Sequence, residues 1–114
     1  MKHTMKLNPQ PFEMIKSGEK TIELRLNDEK RRRIKPGDEI VFENTTYAGS
    51  FITARVTALH RFRSFDELYA SLDLLKCGYS ADDIESAQPE DMTMYYSAEQ
   101  QKKYGVVGIE LELV

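Results

Sequence analysis

Three ionisable side chains in Gly18-Glu19-Lys20-Thr21-Ile22-Glu23-Leu24-Arg25 stand at spacings that let them act together. Thr21 to Leu26 alternates strictly, so a strand puts Thr21, Glu23 and Arg25 on one face and Ile22, Leu24 and Leu26 on the other. Glu23 and Arg25 then lie about 6.5–7 Å apart along the strand, with Lys20 at the turn just before it. Cations so placed grip a phosphate, Arg25 as a planar fork and Lys20 as a point charge. Glu23 adds an acceptor that reads an amino group on a base or holds Arg25 in place. The same strip on an open surface strand would only pair its charges and keep an edge soluble.

Other residues offer weaker chemistry. Lys30-Arg31-Arg32-Arg33 with Lys35 is the densest basic run; it either neutralises phosphates or is a solvated loop answered by Asp28 and Glu29. Tyr95, Tyr96 and Tyr104 are candidates for stacking on unpaired bases, an interaction worth roughly 1–3 kcal/mol per base. His60 lies among Arg55, Arg61 and Arg63, where packing is its default role. Cys77, just before Gly78, reads as a small buried hydrophobe. His3 sits near the start of the chain and carries no argument. Asp82, Asp83 and Glu85 read as an acidic helix start, favoured by the helix dipole. Two histidines and one cysteine are too few for the usual structural zinc sets, and no metal or cofactor is expected.

The elements that must position these groups read as follows. Met5-Lys6-Leu7 is a short strand. Asn8 caps a helix with Pro9 or Pro11 in its first turn, Phe12 and Ile15 on its inner face, and Gly18 at its left-handed end. Asn27 to Lys35 is a charged loop or ragged strand. Pro36-Gly37-Asp38 turns into a strand over Glu39–Glu43, and Phe51 to about Phe62 is a long strand that bends or bulges. Ser64-Phe65-Asp66-Glu67 is a capping box opening a helix with Phe65, Leu68, Tyr69 and Leu72 inward; Ser97 to Gln100 is a second. Short helical pieces start at Ser80 and Pro89. Val107, Ile109, Leu111 and Leu113 face a core from a last strand paired with an early one. Strands early, helices later and a closing strand make the class α+β.

Gly18-x-Lys20-x-x-Glu23-x-Arg25 resembles the G-x-K-x-x-E-x-R signature of the ASCH domain family. The likeness extends over nearly the whole chain, through Ile34-Lys35-Pro36-Gly37-Asp38, the long strand to Ser64-Phe65, and Tyr104-Gly105-Val106-Val107-Gly108-Ile109 entering the last strand. The resemblance implies a small mixed β-barrel of PUA-like type with helices packed at its ends. It also implies that the signature residues line a cleft that binds RNA. Some proteins similar to this family are small amidohydrolases acting on an acetylated cytidine through a lysine, a threonine and a glutamate. The lysine falls on Lys20 and the glutamate loosely on Glu90. The threonine falls on Glu23, which has no hydroxyl, and Thr21 is a residue pair away. Ribonuclease chemistry by a Lys20–Glu23 pair would need burial to bring their pKa values toward neutrality.

Composition sets the outer bounds. The 114 residues match one domain, residues 1–114, with 40% hydrophobic and 31% charged residues, which argues against disorder. No apolar run exceeds three residues, so no membrane span is expected, and a lone cysteine makes the cytoplasm the default compartment. The net charge of −3 divides unevenly, +5 over residues 1–63 and −8 over residues 64–114. A pI of about 5.4 disfavours broad backbone binding and favours a small, specific site. The expected function is thus an RNA- or nucleotide-binding module, monomeric or weakly dimeric, with Lys20, Thr21, Glu23, Arg25, Tyr95 and Tyr104 as contacts. The alternatives are a small hydrolase using Lys20, Glu23 and Glu90, and a protein-interaction adaptor docking through the acidic half.

Overall fold

The computed structural model describes residues 1–114. Strand β1 (Lys2–Leu7) leads through helix α1 (Pro9–Ser17) to β2 (Ile22–Leu26); a single helical turn, α2 (Glu29–Arg32), then precedes β3 (Glu39–Asn44) and β4 (Phe51–Phe62). Helix α3 (Phe65–Ser71), three short 3-10 segments (Leu74–Cys77, Ile84–Ser86, Pro89–Met94) and helix α4 (Ala98–Tyr104) lead to β5 (Val106–Leu113). No helix is long and apolar enough to cross a membrane.

The strands form one mixed sheet in the order β1-β3-β4-β5-β2, curled into a half barrel. β1 runs parallel to β3, and the other neighbours are antiparallel. The long β4 spans the sheet by shifting register between Val56 and Ala58, the bulge its length predicts. The concave side is filled by Met5, Leu7, Phe12, Ile15, Ile34, Ile40, Phe42 and Ile109, among others. A second core of Ile22, Leu24, Leu26, Phe65, Leu68, Cys77, Met92 and Val106 joins the outer face of β2 and β5 to α3 and the 3-10 segments. The other face of β2 is withdrawn from water too, with Glu23 buried and Arg25 partly buried, so its alternation does not simply separate core from water.

Several local expectations are corrected. Asn27–Lys35 contains α2, because Asp28 accepts the Arg31 N–H at 3.1 Å and caps the turn while Ile34 is buried. Asn8 occupies the cap position of α1 without capping it; its side chain accepts from the Thr45 hydroxyl. Glu67 misses the reciprocal half of its box, accepting the N–H of Arg63 and not that of Ser64. Leu113 is half exposed where β5 outruns the core.

The two edge strands, β1 and β2, exchange no backbone ladder. Cationic side chains cover that seam: Arg25 Nη2 donates to the Lys6 carbonyl at 2.9 Å and Lys30 Nζ to the Thr4 carbonyl at 2.7 Å. Asp38 ties β1 to the turn before β3. Its carboxylate engages His3 Nε2 at 2.9 Å and the Lys35 N–H at 3.0 Å, and these bonds hold its pKa down at about 2. A depressed carboxylate stabilises the fold above its ordinary value and loses that contribution as pH falls through the folded value. Thermal melts of wild type and Asp38→Asn should therefore differ most above about pH 4 and converge near pH 2. A difference that stays constant across that window would contradict the assigned bonds.

Candidate functional site

The helix-to-strand connection builds the site. Gly18 ends α1 in the left-handed conformation (φ 86°), and the Lys20 N–H returns to the Met14 carbonyl at 3.0 Å. This aims Lys20 back across the start of β2. Its ammonium lies 2.7 Å from Glu23 Oε1, while Arg25 places Nε at 2.8 Å and Nη2 at 2.7 Å from Glu23 Oε2. Glu23 is only 4% exposed, so the carboxylate is clamped between two cations at the floor of a recess of about 540 Å³.

Burial pushes the Glu23 carboxyl up, but the charges and hydrogen bonds of Lys20 and Arg25 outweigh it and leave its pKa below the ordinary value. Burial likewise works against the Arg25 guanidinium, and Glu23 more than restores it. With its pKa lowered, Glu23 is a carboxylate at neutral pH and not an acid–base group poised near neutrality.

Residues far along the chain supply the walls. The backbone of Lys76 accepts the Thr21 N–H at 2.9 Å, which brings the Leu74–Cys77 segment and Gly78 against Lys20. Beyond it, Tyr79 donates to Asp91 Oδ2 at 2.8 Å and lies 2.6 Å from the Tyr69 hydroxyl. With the Tyr79 proton committed to Asp91, Tyr69 donates to Tyr79, and the Tyr69 oxygen keeps its lone pairs for an incoming donor. Burial first, and then these bonds, raise the Tyr79 pKa. Burial also raises the Cys77 thiol to about 11, with Asp73 and Glu23 adding to it against Lys20, so this wall residue stays protonated. Tyr96 stacks on Phe65 with an interplanar angle of 14°, whereas Met94 and Tyr95 stand 81% and 63% exposed at the mouth.

The recess thus joins Lys20, Glu23, Arg25, Tyr95 and Tyr96. It does not include Thr21, whose backbone N–H and carbonyl are spent on Lys76 and Leu111 in aligning the start of β2. Tyr104 lies elsewhere, packed on the second core with Lys103 over its ring at 5.1 Å. Glu90 is exposed off the recess; its neighbour Asp91 takes the wall position because a 3-10 helix turns each successive side chain by about a third of a turn. Sequence reasoning missed Tyr69, Tyr79 and Asp91. Their only local trace is the Gln88–Asp91 capping box, which fixes Asp91 beside the phenols.

A family model for the ASCH domain matches residues 5–114. The chain belongs to the ASCH domain family. The half barrel is accordingly a PUA-like fold. A hypothetical protein, PH0355, of known crystal structure is 38% identical over the full length of both chains, with a TM-score of 0.83. Protein PF0455 from Pyrococcus furiosus, solved by NMR, is also 38% identical, covers all of this ASCH domain and 98% of its own chain, and superposes with a TM-score of 0.75. A mutant ASCH protein of Zymomonas mobilis shares the fold at 16% identity, with a TM-score of 0.69 over 99% of this chain and 74% of that one. No curated protein matches.

Proposed function

We propose that this ASCH domain is an RNA-binding module whose recess accepts an unpaired nucleobase. The observation that carries the reading is the buried Glu23 clamp, which turns two cations into fixed hydrogen-bond donors. Lys20 and the remaining Arg25 N–H groups donate, the Tyr69 hydroxyl accepts, and Tyr95 offers a ring at the mouth. A base edge carries both donors and acceptors, so this mixed set suits it. A volume of about 540 Å³ is that of a small-ligand site. The charges lining the recess balance, with Lys6, Lys20 and Arg25 against Glu23, Asp83 and Asp91. A base is favoured there over the phosphates of a free nucleotide. The hydrolytic alternative has less support, since Thr21 and Glu90 lie outside the recess and Cys77 is held as the thiol.

Tyr95→Ala separates binding from folding, because the ring is mostly exposed. Fluorescence anisotropy with a labelled single-stranded RNA 12-mer of mixed sequence should show affinity falling about 5- to 150-fold, the range of one lost base stack, at an unchanged melting temperature. Equal affinity of the variant, or no RNA binding by the wild type at low salt, would overturn the reading.

A further inference from the structure

Four basic residues that the recess does not use meet at the far end of β2. Arg61 and Arg63 at the end of β4, and Lys102 and Lys103 in the last turn of α4, line a shallow groove around Gly105. The uneven charge of the two halves of the sequence thus does not map onto two faces; two lysines of the acidic half join two arginines of the basic half. None of the four forms an ion pair, although Lys20, Arg25, Arg31 and Arg55 all do. Glu67, the acidic residue of the groove, is drawn to the backbone N–H of Arg63 at 3.4 Å. Arg32 extends the cluster, reaching the carbonyls of Asn27 and Tyr104 with no carboxylate partner. Clustered unpaired cations repel one another, and a bound polyanion would relieve that repulsion.

The sheet register relates the groove to the recess. Arg25 pairs with Val107 on β5, and Val107 with Arg61 on β4, so the three share one face in register. Two strand spacings, about 10 Å, separate the Arg25 and Arg61 backbones. Arg61 is held at the barrel end by Asn27 Oδ1 at 3.1 Å, on the segment that leaves β2.

We propose that Arg61, Arg63, Lys102 and Lys103 form a phosphate track for the RNA strand whose base enters the recess, an inference that rests on the RNA reading above. The ligand is then an oligonucleotide. Its base is read in the charge-balanced recess and its backbone is held across the barrel end. Affinity depends on strand length, and its salt dependence belongs to the groove.

The test measures binding of the labelled 12-mer and of a 3-mer against KCl concentration. Neutralising four phosphate contacts on a single strand contributes a slope of about 3 in log affinity against log salt. Arg61→Gln with Arg63→Gln, Lys102→Gln and Lys103→Gln should remove about 2–3 of that slope and reduce 12-mer affinity to near that of the 3-mer. Lys102→Gln with Lys103→Gln alone, on an exposed helix turn, should remove about half of the change without endangering the fold. Lys2→Gln with Lys16→Gln should leave the slope nearly intact. An unchanged slope in the groove variants would overturn the track while leaving the recess reading standing. A slope lost in the groove variants with no effect of Tyr95→Ala would keep the track and remove the recess as the base site.

Discussion

Replacing Glu23 with alanine is expected to cost about 3 kcal/mol or more, because it strands two buried cations without a counter-charge. For a chain of this length that loss corresponds to a melting temperature lower by about 10–20 °C. The side chains of Lys20 and Arg25 are 11% and 15% exposed, so water does not take the place of the carboxylate. Glu23→Gln should fall between, keeping hydrogen bonds but losing charge. Joint replacement by Lys20→Met, Glu23→Leu and Arg25→Met should recover most of the stability, since a packed apolar trio avoids desolvating three charges. It should also abolish RNA binding. Thermal melts by circular dichroism, with anisotropy on the same samples, check both halves. A Glu23→Ala protein melting within a few degrees of wild type would mean the carboxylate is not clamped. Because the Glu23 pKa is depressed, its contribution is complete above the ordinary carboxylate value of 4.5 and is lost as pH falls through the folded value.

Gly105→Ala is the second large expected loss. Gly105 joins α4 to β5 with φ 72° and ψ −171°, a backbone region essentially confined to glycine. A Cβ there would sit 2.8 Å from the Phe62 carbonyl oxygen, which is fixed in β4 and has no side-chain freedom with which to yield. Backbone strain of about 1–3 kcal/mol plus the clash puts the cost near 3 kcal/mol, or about 10–15 °C in melting temperature. The residue's carbonyl also accepts the Asn27 N–H at 3.0 Å, so its displacement disturbs the segment that leaves β2. A melting temperature within about 3 °C of wild type would show that the junction relaxes freely.

On a surface strand, Lys20 and Arg25 would be removable together at no cost to folding. With Glu23 buried, removing both leaves a lone carboxylate in a low-dielectric site. The alternation of Thr21–Leu26 supplied the right partners and the right faces for Ile22, Leu24 and Leu26. It left open whether the other face met water, because that depends on strands and segments distant in the chain.

The chain's own letters determined what is local. The three-residue spacing of Phe12 and Ile15, the left-handed glycine at 18, the capping serines at 64 and 97, the bulged length of β4 and the alternation of β5 each follow from patterns within a few residues. Membership of the family was legible as well, through the Gly18–Arg25 signature together with flanking features over nearly the whole chain. Only the tertiary structure decided that β2 lies at a sheet edge with a core on one face and the recess on the other, that Asp91 and not Glu90 enters the wall, and that Tyr79 and Tyr69 line the recess with Lys20. It alone brought Lys102 and Lys103 beside Arg61 and Arg63. The physical reason is that burial and electrostatic environment are sums over neighbours in space. Here those neighbours come from segments some 40 to 70 residues away along the chain, brought in by a sheet order that periodicity does not encode.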